Sequence, residues 1–248
     1  MNLQFGTGSL VAFNTGGGTS GLPGHPPVQF GALQDVEIDY DFTMKELHGQ
    51  SQFPLAVARG TGKITGKAKF ADMNALIMNE LFWGQTMTSG QELLSLNEAV
   101  TIPSTGPYTV TPAKAVWVAD YGVRDGLTGV PATKTASAPA TGQYSCGTTG
   151  VLTFAAADAG LTRTITYSYT TTGGWNMVMA NQLQGQAPVF QVALQQTYLN
   201  KVYAIQLYAC TSTKLTMPTK MEDYMISDFE FSAFANSAGN IGKTSFPE

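Results

Sequence analysis

The chain has 248 residues, a formal net charge of −4 and only 12% Asp, Glu, Lys and Arg, about half the share of an ordinary soluble domain. An apolar content of 43% with 10% aromatics excludes a disordered chain. The mildly acidic balance argues against a protein that reads phosphates. No run of roughly 18 apolar residues is present to cross a membrane as a helix. What remains is a folded, charge-poor chain with 31 Thr and 27 Gly, a composition that leans towards β structure.

Met1 to Phe13 has neither a basic region nor an apolar run of signal type, so no secretory leader is expected. A short strand is expected over Ser9 to Phe13. Residues 14–27, NTGGGTSGLPGHPP, are too rich in Gly and Pro for regular structure and read as a loop. From Asp35 to Phe42 the pattern alternates without a break. Val36, Ile38, Tyr40 and Phe42 share one face, and Asp35, Glu37, Asp39 and Asp41 share the other. Period two means a half-buried strand.

Residues 43–61 read as a long excursion. Gly62 to Phe70 then alternates again, with Ile64, Ala68 and Phe70 on one face, Gly66 among them, and Lys63, Thr65, Lys67 and Lys69 on the other. Antiparallel pairing of the acidic and basic strands would set opposite charges across from each other. Residues 72–83 are the best helix candidate, with Asp72 as cap and Gly84 as stop. The stretch 103–174 holds 16 of the 31 Thr and seven charged residues. Its run from Leu161 to Tyr169 alternates Thr162, Thr164, Thr166 and Ser168 with Arg163, Ile165, Tyr167 and Tyr169. Strands are expected again at Val189–Gln195, Lys201–Cys210 and Tyr224–Phe234, with Asp228 and Glu230 alternating with aromatics in the last. The tail after Asn236 is small and polar and reads as loop or a short extension.

The expected fold is mainly β: two packed antiparallel sheets, sandwich- or barrel-like, with one short flanking helix. A core domain of residues 1–102 and 173–248 is interrupted by a β-rich insertion at 103–172. The alternative for the insertion is a set of long hairpins on the same sheet.

Catalytic signatures are scarce. Alternate strand residues lie roughly 6.5–7 Å apart, which places the acidic ladder within the spacing of an inverting glycosidase pair or of a hard-cation site. Four carboxylates on an exposed face would all ionise, however, and an acid–base pair needs one of them held protonated. The run GTGKITGK at 60–67 lacks the spacing of a phosphate loop and lies in a strand pattern. Cys146 and Cys210 have no metal-ligand spacing and read as free thiols. His25 and His48 read as exposed. No catalytic, cofactor or metal site is expected, and the chain is not expected to be an enzyme.

Residues 31–84 combine an alternating acidic strand, a K-E-L-x-G-x-x-x-F-P segment at 45–54, a G-K-x-x-G-K-A-K-F strand at 62–70 and a short helix ending in F-W-G. This pattern resembles the tail tube proteins (major tail proteins) of tailed bacteriophages. The stretch 139–170 and the K-M-E-D-Y run at 220–224 are similar to segments of the same family. The resemblance implies two antiparallel sheets with a flanking helix, hexameric rings and a stacked tube through which double-stranded DNA passes during ejection. It implies a virion location, assembly in the host cytoplasm, and partners in the tape measure, tail terminator and baseplate or tail-tip proteins, with no cofactor. Asp35, Glu37, Asp39, Asp41, Lys63, Lys67 and Lys69 are then candidates to line the lumen. Phe53, Pro54, Leu55 and Val57 are candidates for a contact between rings. An insertion projecting outward would favour a non-contractile tail. The competing class is another self-assembling β protein, such as a pilus, capsid-decoration or adhesin subunit.

Overall fold

The computed structural model describes residues 6–14, 27–114 and 116–247. Most of the loop expected at 14–27, His25 included, lies outside the described residues. In chain order the first elements are β1 (Ser9–Asn14), β2 (Val28–Gln29), β3 (Gly31–His48), β4 (Pro54–Asp72), the helix α1 (Ile77–Trp83) and β5 (Met87–Ser89). Then come β6 (Glu92–Thr101), β7 (Thr109–Val110), β8 (Trp117–Asp125), β9 (Thr133–Thr135), β10 (Gln143–Cys146), β11 (Leu152–Phe154) and β12 (Thr162–Thr170). The last are β13 (Trp175–Met177), β14 (Phe190–Tyr198), β15 (Lys201–Thr216), β16 (Ser227–Ala233) and β17 (Gly242–Ser245). The protein is mainly β, with several antiparallel sheets and one helix, as its Thr-rich alternating pattern leads one to expect.

The chain divides into two compact units, 1–87 with 177–248, and 88–176. The second unit begins earlier than 103 because β6 pairs along β12 from Thr162↔Thr101 to Thr170↔Glu92. Strands β5 and β13 pair where the chain passes between units.

In the first unit the strand order is β2-β1-β14-β15-β16-β4-β3, with β17 on β15. Strands β14 and β15 form a hairpin that closes at Leu199 and Asn200. Both have positive φ, 48° and 61°, as a tight two-residue turn of primed type requires. The turn immediately precedes Lys201, where the second of these strands was expected to start. A single residue, Phe30, separates β2 from β3, yet these strands stand at opposite ends of the order. Cα atoms two residues apart span about 7 Å at most, so the two edges of the sheet meet there and the sheet curls around its apolar face. Phe30 is buried at the seam and packs edge-on to Phe70 with ring centroids 5.1 Å apart. Phe190, Phe229 and Phe231 join the cluster, with Leu10, Val192, Leu207 and Cys210 around them. Helix α1 adds Ile77 and Leu81 to the same core.

The helix differs from expectation in start and in type. Asp72 is the last residue of β4, and the cap is Asn74, whose Oδ1 accepts the Leu76 N–H at 2.9 Å. The turn is π-helical. Gly84 ends it in the left-handed region at φ 62°, its N–H bonded to the Asn79 carbonyl five residues back. Two further differences concern strands. Residues 43–61 are not a loop excursion: both strands continue through them, paired from Met44↔Arg59 to His48↔Pro54. The tail after Asn236 also forms a strand, β17, along Ala204–Leu207 of β15.

The second unit is a small sandwich. The three-stranded sheet β6-β12-β8 and the four-stranded sheet β7-β11-β10-β9 enclose Ile102, Val123, Tyr144, Leu152, Phe154, Ile165 and Tyr167. Pairing is antiparallel except between β9 and β10. The alternation read at 161–169 holds from Thr162 to Tyr167, with Arg163, Ile165 and Tyr167 buried on the inner face of β12, and breaks at Ser168, which is buried as well beside a bulge. Arg163 pairs there with Asp125 and, at 3.3 Å, with the fully buried Asp158.

Two substitutions probe these cores. A Cβ on Gly66 would lie 2.1 Å from the Phe231 ring directly across the ladder. Gly66→Val is expected to cost about 1–3 kcal/mol by overpacking, read as a fall in the urea midpoint. Arg163→Met removes the charge opposite buried Asp158 and is expected to cost about 3–5 kcal/mol, read by calorimetry of the full chain as a lowered transition.

Candidate functional site

The sequence-predicted residues fall on two surfaces, both built by β3 and β4. The first is a charge ladder on the outer face of the curled sheet. The register sets Asp35 against Lys69, Glu37 against Lys67, Asp39 against Thr65 and Asp41 against Lys63. On the far side of β4, β16 sets Asp228 against Lys69 and Glu230 against Lys67. Strand β15 then sets Lys214 against Glu230. Sign therefore alternates across four strands. The ion pairs formed are Lys69–Asp35 at 3.6 Å, Lys67–Glu230 at 3.9 Å and Lys214–Glu230 at 3.6 Å. Lys67 is thus paired with β16 rather than with Glu37.

Asp228, Glu230 and Lys214 were not joined to the ladder at the level of sequence. Their signal was present in the alternation of Asp228 and Glu230 with Phe229 and Phe231, but nothing local places that strand beside β4. With them, six carboxylates face four ammonium groups, a net charge of −2 on this face. The side chains of the three ion pairs are about a third exposed or more. Each pair therefore contributes about 0–1 kcal/mol, and the ladder neutralises charge more than it stabilises the fold.

The second surface is the outer half of the β3–β4 hairpin. Strand β16 stops pairing with β4 at Ile64↔Ala233. Beyond that point Asp41–His48 and Pro54–Lys63 run on as a two-stranded arm, roughly 25 Å long at strand rise. Its two faces differ. Val36 and Ile38 pack on the core, and the same face of β3 continues through Tyr40, Phe42 and Met44. Val57, opposite Glu46, lies on that face, as does Leu55 two residues away. The apolar residues of this face are open, with Glu46 and Arg59 set among them: Phe42 is 41%, Met44 56% and Leu55 69% exposed. The Arg59 guanidinium stacks over the Phe42 ring at 4.5 Å, which fixes that ring without covering it.

Of the predicted contact residues, Phe53 sits at the tip, 79% exposed, and Pro54, Leu55 and Val57 lie on β4. Tyr40, Phe42 and Met44 belong with them. Tyr40 and Phe42 were read with the half-buried face of their strand, and Met44 fell in the expected excursion, because alternation alone does not tell where the core ends. Among the described residues no strand pairs with the outer edge of β3, nor with the edge of β4 from Pro54 to Lys63 that faces away from β3.

Chemical groups elsewhere are quiet. Cys146 and Cys210 are free. Burial pushes the Cys210 thiol up to about 12 and also raises that of Cys146, with Asp120 adding to the latter. Neither is a thiolate near neutral pH. His48 is exposed and lies 3.1 Å from Glu46 near the arm tip. Among the described residues no group of three or more His, Cys, Asp or Glu is placed to hold a metal ion. The GTGKITGK run lies within β4, where its N–H groups serve the ladder. No family model matches the chain, and no curated protein matches it.

Replacing Glu230 by Gln removes the partner shared by Lys67 and Lys214. The expected loss is under about 1 kcal/mol in urea unfolding at low salt. It is expected to shrink further at 1 M salt, where the screening length falls to about 3 Å.

Proposed function

We propose that this chain is a structural subunit of a bacteriophage tail tube. It polymerises as stacked rings, in the hexameric arrangement its sequence resemblance implies, and catalyses no reaction. The observation that carries this reading is the arm. Its apolar stripe continues the core face of β3 past the end of the core, where a monomer gains nothing from Phe42, Met44, Leu55 and Val57. Burying a side chain of this size contributes about 1.5–3 kcal/mol, and a second subunit can supply the cover. An isolated two-stranded ribbon is only marginally stable in water, which also favours an arm that is ordered against a neighbour.

Two features support the same role. Exposed strand edges invite pairing with other chains and are usually blocked in monomers. Here β3 and the outer part of β4 offer long open edges, suited to strand addition between subunits. The charge ladder suits a DNA channel. Duplex DNA carries one negative charge per roughly 1.7 Å of axis, and a basic wall would hold it by counterion release. A wall at −2 per subunit, with three of its four lysines tied into ion pairs, leaves the duplex free to slide. In this reading Asp35, Glu37, Asp39, Asp41, Lys63, Lys67 and Lys69 line the lumen with Asp228, Glu230 and Lys214, and the arm reaches the next ring.

Negative-stain electron microscopy of the purified chain, taken over a rising concentration series, tests the proposal. Rings and tubes are expected. Deleting residues 49–58, or replacing Phe42 and Leu55 by Asp, is expected to abolish stacking while the circular dichroism spectrum keeps its β signature. Monomers under every condition would overturn the tube reading. Normal tubes from the deletion variant would overturn the role given to the arm.

A further inference from the structure

The outer face of the sheet β6-β12-β8 carries a second built feature. Strand β12 is flanked at one level by two bulges. On β6 the register slips between Ile165 and Tyr167, leaving an extra residue at Leu96-Asn97, where Asn97 has a φ of 52°. On β8 it slips between Thr166 and Tyr167, leaving Tyr121 extra beside Gly122 at φ 123°. Bulges re-aim side chains and interrupt a flat ladder. Two of them facing each other across Thr166 open a depression of about 490 Å³, lined by Leu96, Asn97, Tyr121, Arg124, Pro131 and Thr166 among others. That volume lies within the range of small-ligand sites.

Three observations narrow the ligand. The lining holds a guanidinium, an amide and a hydroxyl but no carboxylate. Arg163 and Lys134 are tied up in ion pairs with Asp125, Asp158 and Asp120, whereas among the described residues Arg124 makes no ion pair. The Tyr121 ring and Leu96 are mostly exposed. A strand-like peptide is disfavoured beside the depression, because the outer edge of β8 is already occupied at residues 123–125. Asp125 N–H donates to the Val130 carbonyl and Ala132 N–H to the Val123 carbonyl, at 2.8 and 2.9 Å. Recognition here must come from side chains on an open sheet face. Such a face suits a ring that is apolar on one side and polar at its rim.

We propose that this depression binds a carboxylate-bearing sugar unit of a polysaccharide. Tyr121 and Leu96 pack against the C–H face of the pyranose. Arg124 takes the carboxylate through paired N–H donors. Asn97 takes ring hydroxyls, together with the Thr166 Oγ1, which accepts the Asn97 N–H at 3.2 Å and keeps its own proton to donate.

The test uses the full chain and two probes, a glucuronate-containing tetrasaccharide and a neutral glucose tetrasaccharide, observed by saturation-transfer NMR at millimolar concentration. Binding of the acidic probe is expected, weakening with added salt. Arg124→Ala and Tyr121→Ala are each expected to weaken it about tenfold or more. Both side chains are exposed, so the variants are expected to fold normally by circular dichroism. No binding of either probe would overturn the proposal. So would acidic-probe binding that survives both substitutions. Equal binding of the neutral probe, unaffected by Arg124→Ala, would overturn the assignment to an acidic sugar.

Discussion

Everything in the first unit depends on one short connection. Phe30 alone joins β2 to β3, and those strands end opposite sides of the same sheet. The sheet has to close at that seam. Closure brings Phe30, Phe70, Phe190, Phe229 and Phe231 into one cluster. It needs Gly66, because the Phe231 ring lies where any side chain at 66 would stand. Once β3 starts at the seam, its eighteen residues are longer than the core is deep. The surplus, paired with the surplus of β4, leaves as the arm. The most unusual surface of the protein is thus a consequence of strand length against core size.

The same alternation serves two ends on either side of β3 and β4. Odd positions from 35 to 41 of β3 carry carboxylates and Lys63, Lys67 and Lys69 stand at odd positions of β4, so the register that buries Ala68 and Phe70 also zips the outer face with opposite charge. A slip of one residue would put lysines in the core and phenylalanines outside. Core burial and charge pairing therefore select the same register, and each reinforces the other. The bulge between Phe42 and Met44 comes where the core has ended and that double constraint is released.

Much of this was legible in the residues. Period-two alternation identified the core-facing parts of β3 and β4, most of the face of β12 and the β14–β15 hairpin, because each has one wet and one dry side. The arm was not legible. Beyond Phe42 both faces are exposed, so polarity stops reporting the face and the segment mimics a loop. Strand β6 was missed for a similar reason: Glu92 to Thr101 mixes Leu93, Leu94 and Leu96 without alternation, since the bulge at Asn97 breaks the period. Helix α1 was found with its stop at Gly84, but its cap was misplaced by two residues, since Asp72 and Asn74 are both good capping types and the final pairing of β4 with Gly31 claims the first. Asp228, Glu230 and Lys214 were visible as charges but not as neighbours, because non-local strand order leaves no trace in local pattern.

The scarcity of charge has a location. The chain holds 30 acidic and basic residues, and ten of them, a third, lie on the ladder formed by β3, β4, β16 and β15. In the second unit Asp125, Asp158, Arg163, Asp120 and Lys134 are spent on internal pairs. What is left is a surface with few charges to desolvate. Charge at the core of an interface is costly unless paired, and interface cores are depleted in it. A protein that stays monomeric is better served by charge dispersed over its surface. The ladder and these internal pairs together take up half of the charged residues, an economy that fits the self-assembly proposed above.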